Sequence, residues 1–371
     1  MPGRQLKTKG ESADSEEKNL LNRKILLSDG PVSITREHVF SPEIIRFLDE
    51  TTWGTSETLY EHQNTEQRLR HLKDPVLAVL RHGDGLLAMV IIERRRVRVG
   101  NQVLKGYFFR SLASKVRFRE RRLVGKYARK LMSLIVDDEQ EEAVFYASVE
   151  GKNYRSFNFL HKMGYSQQGT IATLGYSRWW PKGDSRLTRV ERKDYAGLLE
   201  KLDEQHKGHT LVHFDYIMQN NDYFVLKENG EIVAGCQVHV AKWVVKNIPN
   251  RFGGLLLKVI PFIPFVRSVF NPKDFQFLTF EGLYVLPGRE VELVRLFESL
   301  LHKFNLKASL VWLDITDPLY PKLKNIGLHG VMKNFVDNAS VRIMAISRKM
   351  SKPTRKHIAE NPIYLSTIDF I

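Results

Sequence analysis

The 371-residue chain is 43% hydrophobic, which is enough to fill the cores of two domains and excludes a disordered polymer. Its 57 Lys and Arg against 42 Asp and Glu leave a net charge of +15, which calls for an anionic partner without choosing among nucleotide, nucleic acid and membrane surface. The single cysteine, Cys236, excludes an intramolecular disulfide and a Cys-rich zinc site and reads as a small buried hydrophobe.

Residues 1–19 are polar and charged and lack the basic, apolar, small-residue order of a signal peptide, so residues 1–30 are expected to fray and the protein to be cytoplasmic. Ser41-Pro42 then opens a helix through Phe47 and Leu48, serine as cap and proline in the first turn. Val76–Leu80 and Leu86–Ile92 flank His82-Gly83-Asp84-Gly85 and read as a hairpin, with a third strand over Tyr107–Ala113. Two basic runs follow one another, Arg94-Arg95-Arg96-Val97-Arg98 and Lys115–Lys130, the second facing a single acid, Glu120.

That second run holds Arg121-Arg122-Leu123-Val124-Gly125-Lys126-Tyr127-Ala128. Beyond the glycine, Val124, Ala128, Leu131, Met132 and Ile135 recur at helical spacing. A glycine turn that opens a helix offers a phosphate several backbone N–H groups without internal partners. Ala143–Val149 reads as a strand, and Asn153–Met163 as a helix stopped by Gly164. Ser166–Trp180 supplies closing strands before Pro181-Lys182-Gly183-Asp184, the expected domain boundary.

The order then returns. Tyr223–Leu226 and Ile232–Val240 form a second hairpin, Phe277–Val285 a strand, Val291–Phe304 a helix, Ser309–Ile315 a strand, and Asp317-Pro318 opens a helix ending at Gly327. Gly125 to Gly164 and Gly288 to Gly327 are each 39 residues apart, and the pairs are offset by 163. The expected organisation is therefore an α/β (α+β) chain with domains at 31–182 and 186–350 and an extension at 351–371. The second half carries an insertion, residues 248–272, that Lys258, Pro261, Pro264 and Arg267 interrupt. It is too broken to span a membrane, and reads as a packed helix and loop, a lid, an acyl-channel wall or a membrane-touching flap through 252–270. His206, His209 and His213 lack Cys or carboxylate neighbours at ligand spacing, so a polar surface and no metal are expected. The Walker, zincin and nucleophile-elbow motifs are missing, which leaves NTPase, zinc-protease and serine-hydrolase readings without support.

Strand, Arg-x-x-Gly-x turn, helix, strand, then Asn153-x-x-Ser156 and a helix ending in Gly164-Tyr165 resembles the GCN5-related N-acetyltransferases over Val76–Trp180. With the repeat, the whole resembles a tandem protein of that family, each domain a mixed, mostly antiparallel sheet flanked by helices. The resemblance implies acetyl-CoA as co-substrate. Its pyrophosphate would lie on the backbone of Leu123, Val124, Gly125, Lys126 and Tyr127, with charge from Arg122 and Lys126. Its amide-rich arm would run along Leu112–Ser114 and be held from the next strand by Asn153, in the motif completed by Ser156.

Tyr127 stands where the family has Gly or Ala, and Leu160 where many members have a tyrosine acid; Tyr154 and Tyr165 are the replacements at hand. Glu150, at a strand end, is the carboxylate best placed to take a proton from an amine, and Glu93 and Glu281 are the others on or beside strands. Pro287-Gly288-Arg289-Glu290 puts acids where the second phosphate turn would be, so the second half reads as degenerate. Asp317 reads as a cap. The resulting expectation is transfer of an acetyl group to an amine of a small molecule or peptide. The alternatives are an aminoacyl-tRNA- or long-acyl-dependent transferase, and a CoA-binding sensor without catalysis; nucleic acid is a less favoured partner.

Overall fold

The computed structural model describes residues 23–54, 58–114, 118–248, 253–326, 330, 332–336 and 339–371. They form two compact units that do not follow the sequential halves. The described residues up to Thr51, with 65–94 and 109–138, make one; residues 52–64, 95–108 and 139–371 make the other.

In the first unit, β1 (Lys24–Asp29) and β2 (Val32–Glu37) form a hairpin with Asp29 opposite Val32. Its connection needs Gly30, at φ +59°, an Asp-Gly turn signal. Part of the stretch expected to fray is thus an ordered strand. Helix α1 (Pro42–Asp49) begins as read: Ser41 Oγ accepts from the Ile44 amide at 3.4 Å, and Ile44, Phe47 and Leu48 are buried. The short β3 (Trp53–Gly54) and β4 (Leu59–His62) belong to the second unit. Then come α2 (Thr65–Arg70), β5 (Pro75–His82), β6 (Gly85–Val99), β7 (Gln102–Ser114) and α3 (Phe118–Asp138). β2, β5 and β6 continue the antiparallel ladder, and α3 buries Tyr127, Leu131, Met132 and Val136 at helical spacing. Residues 95–99 of β6 and 102–108 of β7 lie in the second unit.

The second unit continues through β8 (Ala143–Glu150), α4 (Tyr154–His161), β9 (Ser166–Ser177), β10 (Leu187–Arg189), α5 (Tyr195–Gln205), β11 (Thr210–Val212), β12 (Tyr223–Glu228) and β13 (Glu231–Asn247). It closes with α6 (Gly253–Val259), α7 (Pro264–Val269), β14 (Phe275–Val285), α8 (Val291–Lys303), β15 (Ala308–Asp314), α9 (Leu319–Asn325), α10 (Lys333–Val336), β16 (Ser340–Arg348) and α11 (Lys352–Glu360). Gly327, expected to end α9, lies outside the described residues. The strand order is β8-β16-β9-β15-β14-β13-β12-β10, with β14 and β15 parallel. β16, from the end of the second half, sits between β8 and β9 of the first, and β9 in turn pairs with β15. The closing strands of the two halves are interleaved. α8 packs Leu293, Leu296, Phe297, Leu300 and Leu301 onto this sheet, with Phe297 stacked on Phe280 at 4.3 Å between centroids.

The run Arg94–Arg98 is part of β6, where a period of two decides the burial. Arg94 and Arg96 are exposed, while Arg95 and Val97 are buried. The run therefore does not act as one solvated basic face. Arg95 makes a bidentate ion pair with Asp369, Nη1 to Oδ2 at 2.9 Å, and both side chains are fully buried. Its guanidinium lies 4.7 Å over Phe108. Asp369 belongs to residues 351–371, which are not an appendage: Ser366 Oγ donates to Glu281 at 2.8 Å, Thr367 Oγ1 to the Phe280 carbonyl at 2.8 Å, and Phe370 stacks on Trp312. Breaking a buried ion pair on one side leaves a charge without compensation, so Asp369→Ala is expected to destabilise the chain by about 3–5 kcal/mol. Equilibrium denaturant unfolding measures this, and a loss under 1 kcal/mol (order of magnitude for exposed pairs) would contradict it.

Candidate functional site

The glycine turn is not where the spacing put it. α3 starts at Phe118, so Arg122, Leu123, Val124, Gly125, Lys126 and Tyr127 lie inside the helix and not before it. Amides from the fifth helical residue on are bonded within a helix; only those of the first turn, residues 118–121, are free to meet an anion. The sequence reading placed the helix start at its only glycine, but an interior glycine costs only about 1 kcal/mol and did not stop the helix extending towards β7. Lys126 and Tyr127 turn to β1: Tyr127 is buried and its hydroxyl donates to Asp29 at 2.5 Å, with Lys126 Nζ 3.4 Å from the same carboxylate. The Tyr127 hydroxyl, then Lys126, hold the Asp29 carboxyl below the usual range.

β7 carries Ser111 at φ +53°, a left-handed residue just before Leu112 and Ser114. Both of those residues are exposed. In the same unit Glu93 is buried against Arg110 at 3.5 Å, a charge that is paired.

In the second unit, Glu150, Asn153, Tyr154 and Ser156 come together at the end of β8. Asn153 caps α4, its Oδ1 accepting from the Ser156 amide at 3.0 Å, so the Asn-x-x-Ser spacing has a local structural role that leaves the Asn153 amide nitrogen for other partners. Glu150 is half-buried, and the Tyr60 hydroxyl stands 3.5 Å from its Oε1. Tyr60 is in turn stacked on Trp243 at 4.4 Å, edge-on to His62. Tyr60 and Trp243 were missed by the sequence reading, since they are 183 residues apart and only the pairing of β4 with β13 joins them. Tyr154 is 61% exposed, with the Arg342 guanidinium 5.2 Å over its ring.

The proton donors differ in access. Leu160 is buried, and Tyr165 is 1% exposed, with burial raising its hydroxyl well above the ordinary pKa. Tyr165 is therefore core, and Tyr154 alone of the pair faces solvent. Gly164, at φ +86°, ends α4, and the Tyr165 amide reaches back to the Leu160 carbonyl at 3.1 Å.

The helix start in the second half is already satisfied by its own chain. Glu292, in the first turn of α8, is 1% exposed and meets Arg295 at 2.7 Å, Arg186 at 2.8 Å and Arg289 at 3.2 Å. Burial works against its charge, but Arg289 and Arg186 outweigh this and hold the carboxyl below the usual range. Glu290 accepts from the Gly288 amide and from Lys322.

The three histidines expected on a polar surface are buried instead. His209 Nε2 is 2.9 Å from Asp317, which also accepts from the Leu319 amide at 2.7 Å and so keeps its role at the helix start. His213 Nε2 is 3.1 Å from Arg95, and His206 is enclosed by His209, Phe214 and Tyr364. Apolar Leu211, Val212 and Phe214 among them were the available signal. Burial first, then the neighbouring His209, pushes the His206 pKa down to about 3. Glu281 is likewise buried, between His239 at 3.3 Å and Ser366. Among the described residues no group of three or more His, Cys, Asp or Glu side chains could hold a metal ion.

No family model and no curated protein matches the sequence. Solved structures do match the fold. N-myristoyltransferase of Saccharomyces cerevisiae with bound myristoyl-CoA superposes with a TM-score of 0.59 at 9% identity, over 91% of this chain and 85% of that one. A second structure of the same enzyme gives 0.58 at 10% identity, over 88% and 85%. A GCN5-related N-acetyltransferase from Sphaerobacter thermophilus matches over 76% of this chain and 85% of its own, with a TM-score of 0.46 at 12% identity.

Two outcomes check this geometry. A Cβ at Gly125 would meet nothing within 4 Å, so Gly125→Ala is expected to stabilise the chain by up to about 1 kcal/mol. Gly164→Ala, at φ +86°, is expected to cost about 1 kcal/mol, and thermal melts that rank the two the other way would place Gly125 in a turn. His206 stays neutral when folded and protonates below about 6.5 when unfolded, so the unfolded state binds the extra proton. Stability is thus full above pH 6.5 and lost as pH falls towards 3, by up to about 1.4 kcal/mol per unit. His206→Leu should flatten that slope in unfolding measured from pH 7 to 4; an unchanged slope would rule His206 out as its source.

Proposed function

We propose that this chain is an N-acyltransferase that moves an acyl group from a coenzyme A thioester to an amine, on a small molecule or a peptide. The observation that carries the reading is the fold itself, shared over nine-tenths of the chain with an acyltransferase solved with acyl-CoA. The phosphates of the coenzyme meet the first-turn amides of α3, where the sequence adds Arg119, Arg121 and Arg122. The corresponding start of α8 takes no anion, since Glu292 already occupies its cations. Leu112 and Ser114 offer β7 backbone to the amide-rich arm just beyond the left-handed Ser111.

In the reaction the amine nitrogen bonds to the thioester carbonyl carbon, the C–S bond breaks, and one proton leaves the amine while the thiolate gains one. Glu150 takes the amine proton, with Tyr60 fixing its carboxylate, and Tyr154 is the exposed hydroxyl that can protonate the leaving sulfur. Acetyl is the simplest acyl group. A long chain is the second reading, favoured by the myristoyl-CoA in the matching structures.

Calorimetry with acetyl-CoA and myristoyl-CoA, followed by thiol release across an amine and peptide panel, tests both readings. Binding of one donor with acceptor-dependent thiol release is expected, and Glu150→Gln should lower turnover by about 100-fold or more while leaving donor affinity intact. No binding of either donor would end the proposal. Binding with no thiol release from any acceptor would turn it into a coenzyme sensor.

A further inference from the structure

We infer that α6 and α7, with the connecting turn and Trp179-Trp180, form a docking surface for an anionic lipid bilayer, lying in its headgroup region without crossing it. The inference stands apart from the acyl-transfer reading. The turn between the helices is Ile260–Phe262, and the apolar residues of this segment fall into two sets. Ile260, Val269 and Phe270 are buried and anchor it. Phe262 is 84% exposed, Phe265 64%, Leu255 60%, and Val259 and Ile263 over 40%.

Trp180 is 73% exposed beside Phe265, with ring centroids 6.5 Å apart, and the Trp179 indole N–H donates to the Phe265 carbonyl at 3.2 Å. The presented aromatics are therefore held outward by anchored neighbours. Leaving such a contiguous apolar patch in water is costly, and patches of this kind mark an interaction site.

Charge selects the occupant. Residues 232–273 contain no Asp or Glu but carry Lys242, Lys246, Arg251, Lys258, Arg267 and Lys273. Asp274 and Glu61 neutralise Lys242 and Lys246, while Lys258 and Arg267 are exposed within the patch. Exposed Trp and Phe on a segment that presents Lys258 and Arg267 and has no acid of its own match the boundary between acyl chains and anionic headgroups. Neither helix exceeds seven residues, and Pro261 and Pro264 separate them, so the segment lies along a bilayer surface; among the described residues no helix is long and apolar enough to cross one.

The test is co-flotation of the full-length protein with vesicles of phosphatidylcholine alone or with about 30% phosphatidylserine, at about 50 and 500 mM salt. Partition onto the anionic vesicles, weakened by salt, is expected. Phe262→Ser with Phe265→Ser should reduce it at least about tenfold. Lys258→Glu with Arg267→Glu should do the same on anionic vesicles and little on neutral ones, about fivefold per charge removed. Because Phe262 and Phe265 point into solvent, the thermal midpoint should hold in these variants, and it is measured alongside. No partition at low salt, or partition that the Phe variant leaves unchanged, overturns the proposal. A dimer in gel filtration that the Phe variant dissolves, without vesicle binding, overturns it in favour of a second copy.

Discussion

The position of β16 between β8 and β9 constrains everything at the end of β8. Val341 pairs with Glu150, and the Gly151 amide donates to the Ser340 carbonyl at 2.7 Å. A Cβ on Gly151 would stand 2.5 Å from Ser340 Oγ and 3.1 Å from the Ser340 carbonyl oxygen, so a larger residue there would require the Ser340 hydroxyl to turn aside and the strand end to give slightly. Glu150 before that residue and the Asn153 cap after it are thus oriented by a strand almost 190 residues later. Neither sequential half can close its sheet alone, because each closing strand is paired in part with the other half's strands.

Buried charge in the second unit is partnered. Arg95, His213, Asp369, Glu281 and Asp317 lie in places where a charge without a partner would be expensive, and each has an ionic or hydrogen-bonding partner close by. Buried ion pairs of this sort add less to stability than they cost when broken. They also sharpen the meaning of the net charge. A neutral internal pair removes one cation and one acid together, so the excess of +15 stays on groups outside such pairs.

The sequences at the starts of α3 and α8 differ in charge. Both follow a strand and open a helix after the same order of elements. At α8 a buried carboxylate with three arginines fills the place that an anionic ligand would take, so the helix end is satisfied from within. At α3 the sequence supplies arginines against the single Glu120.

Local pattern determined much of the fold. Ser41-Pro42 placed α1, the Gly83-containing turn joined β5 to β6, and the strand, helix and strand runs read as a mixed α/β chain, because caps, turns and helical stripes act within a few residues. Asn153-x-x-Ser156 and Gly164 were legible for the same reason. What depends on distant partners was not. Gly125 marked no helix start, since a helix of 21 residues absorbs one glycine. His206, His209 and His213 looked like surface until tertiary packing enclosed them. Arg95 looked like one charge in a run until pairing put it opposite Asp369, 274 residues away. Tyr60 and Trp243 met only through β4 and β13. Composition and local spacing by themselves determined the mixed class of the fold and the elements with strong caps, turns or stripes; the weaker strands, which strand lies beside which, and so which side chains share a site, were decided by burial and long-range pairing, whose energies exist only once the sheet has formed.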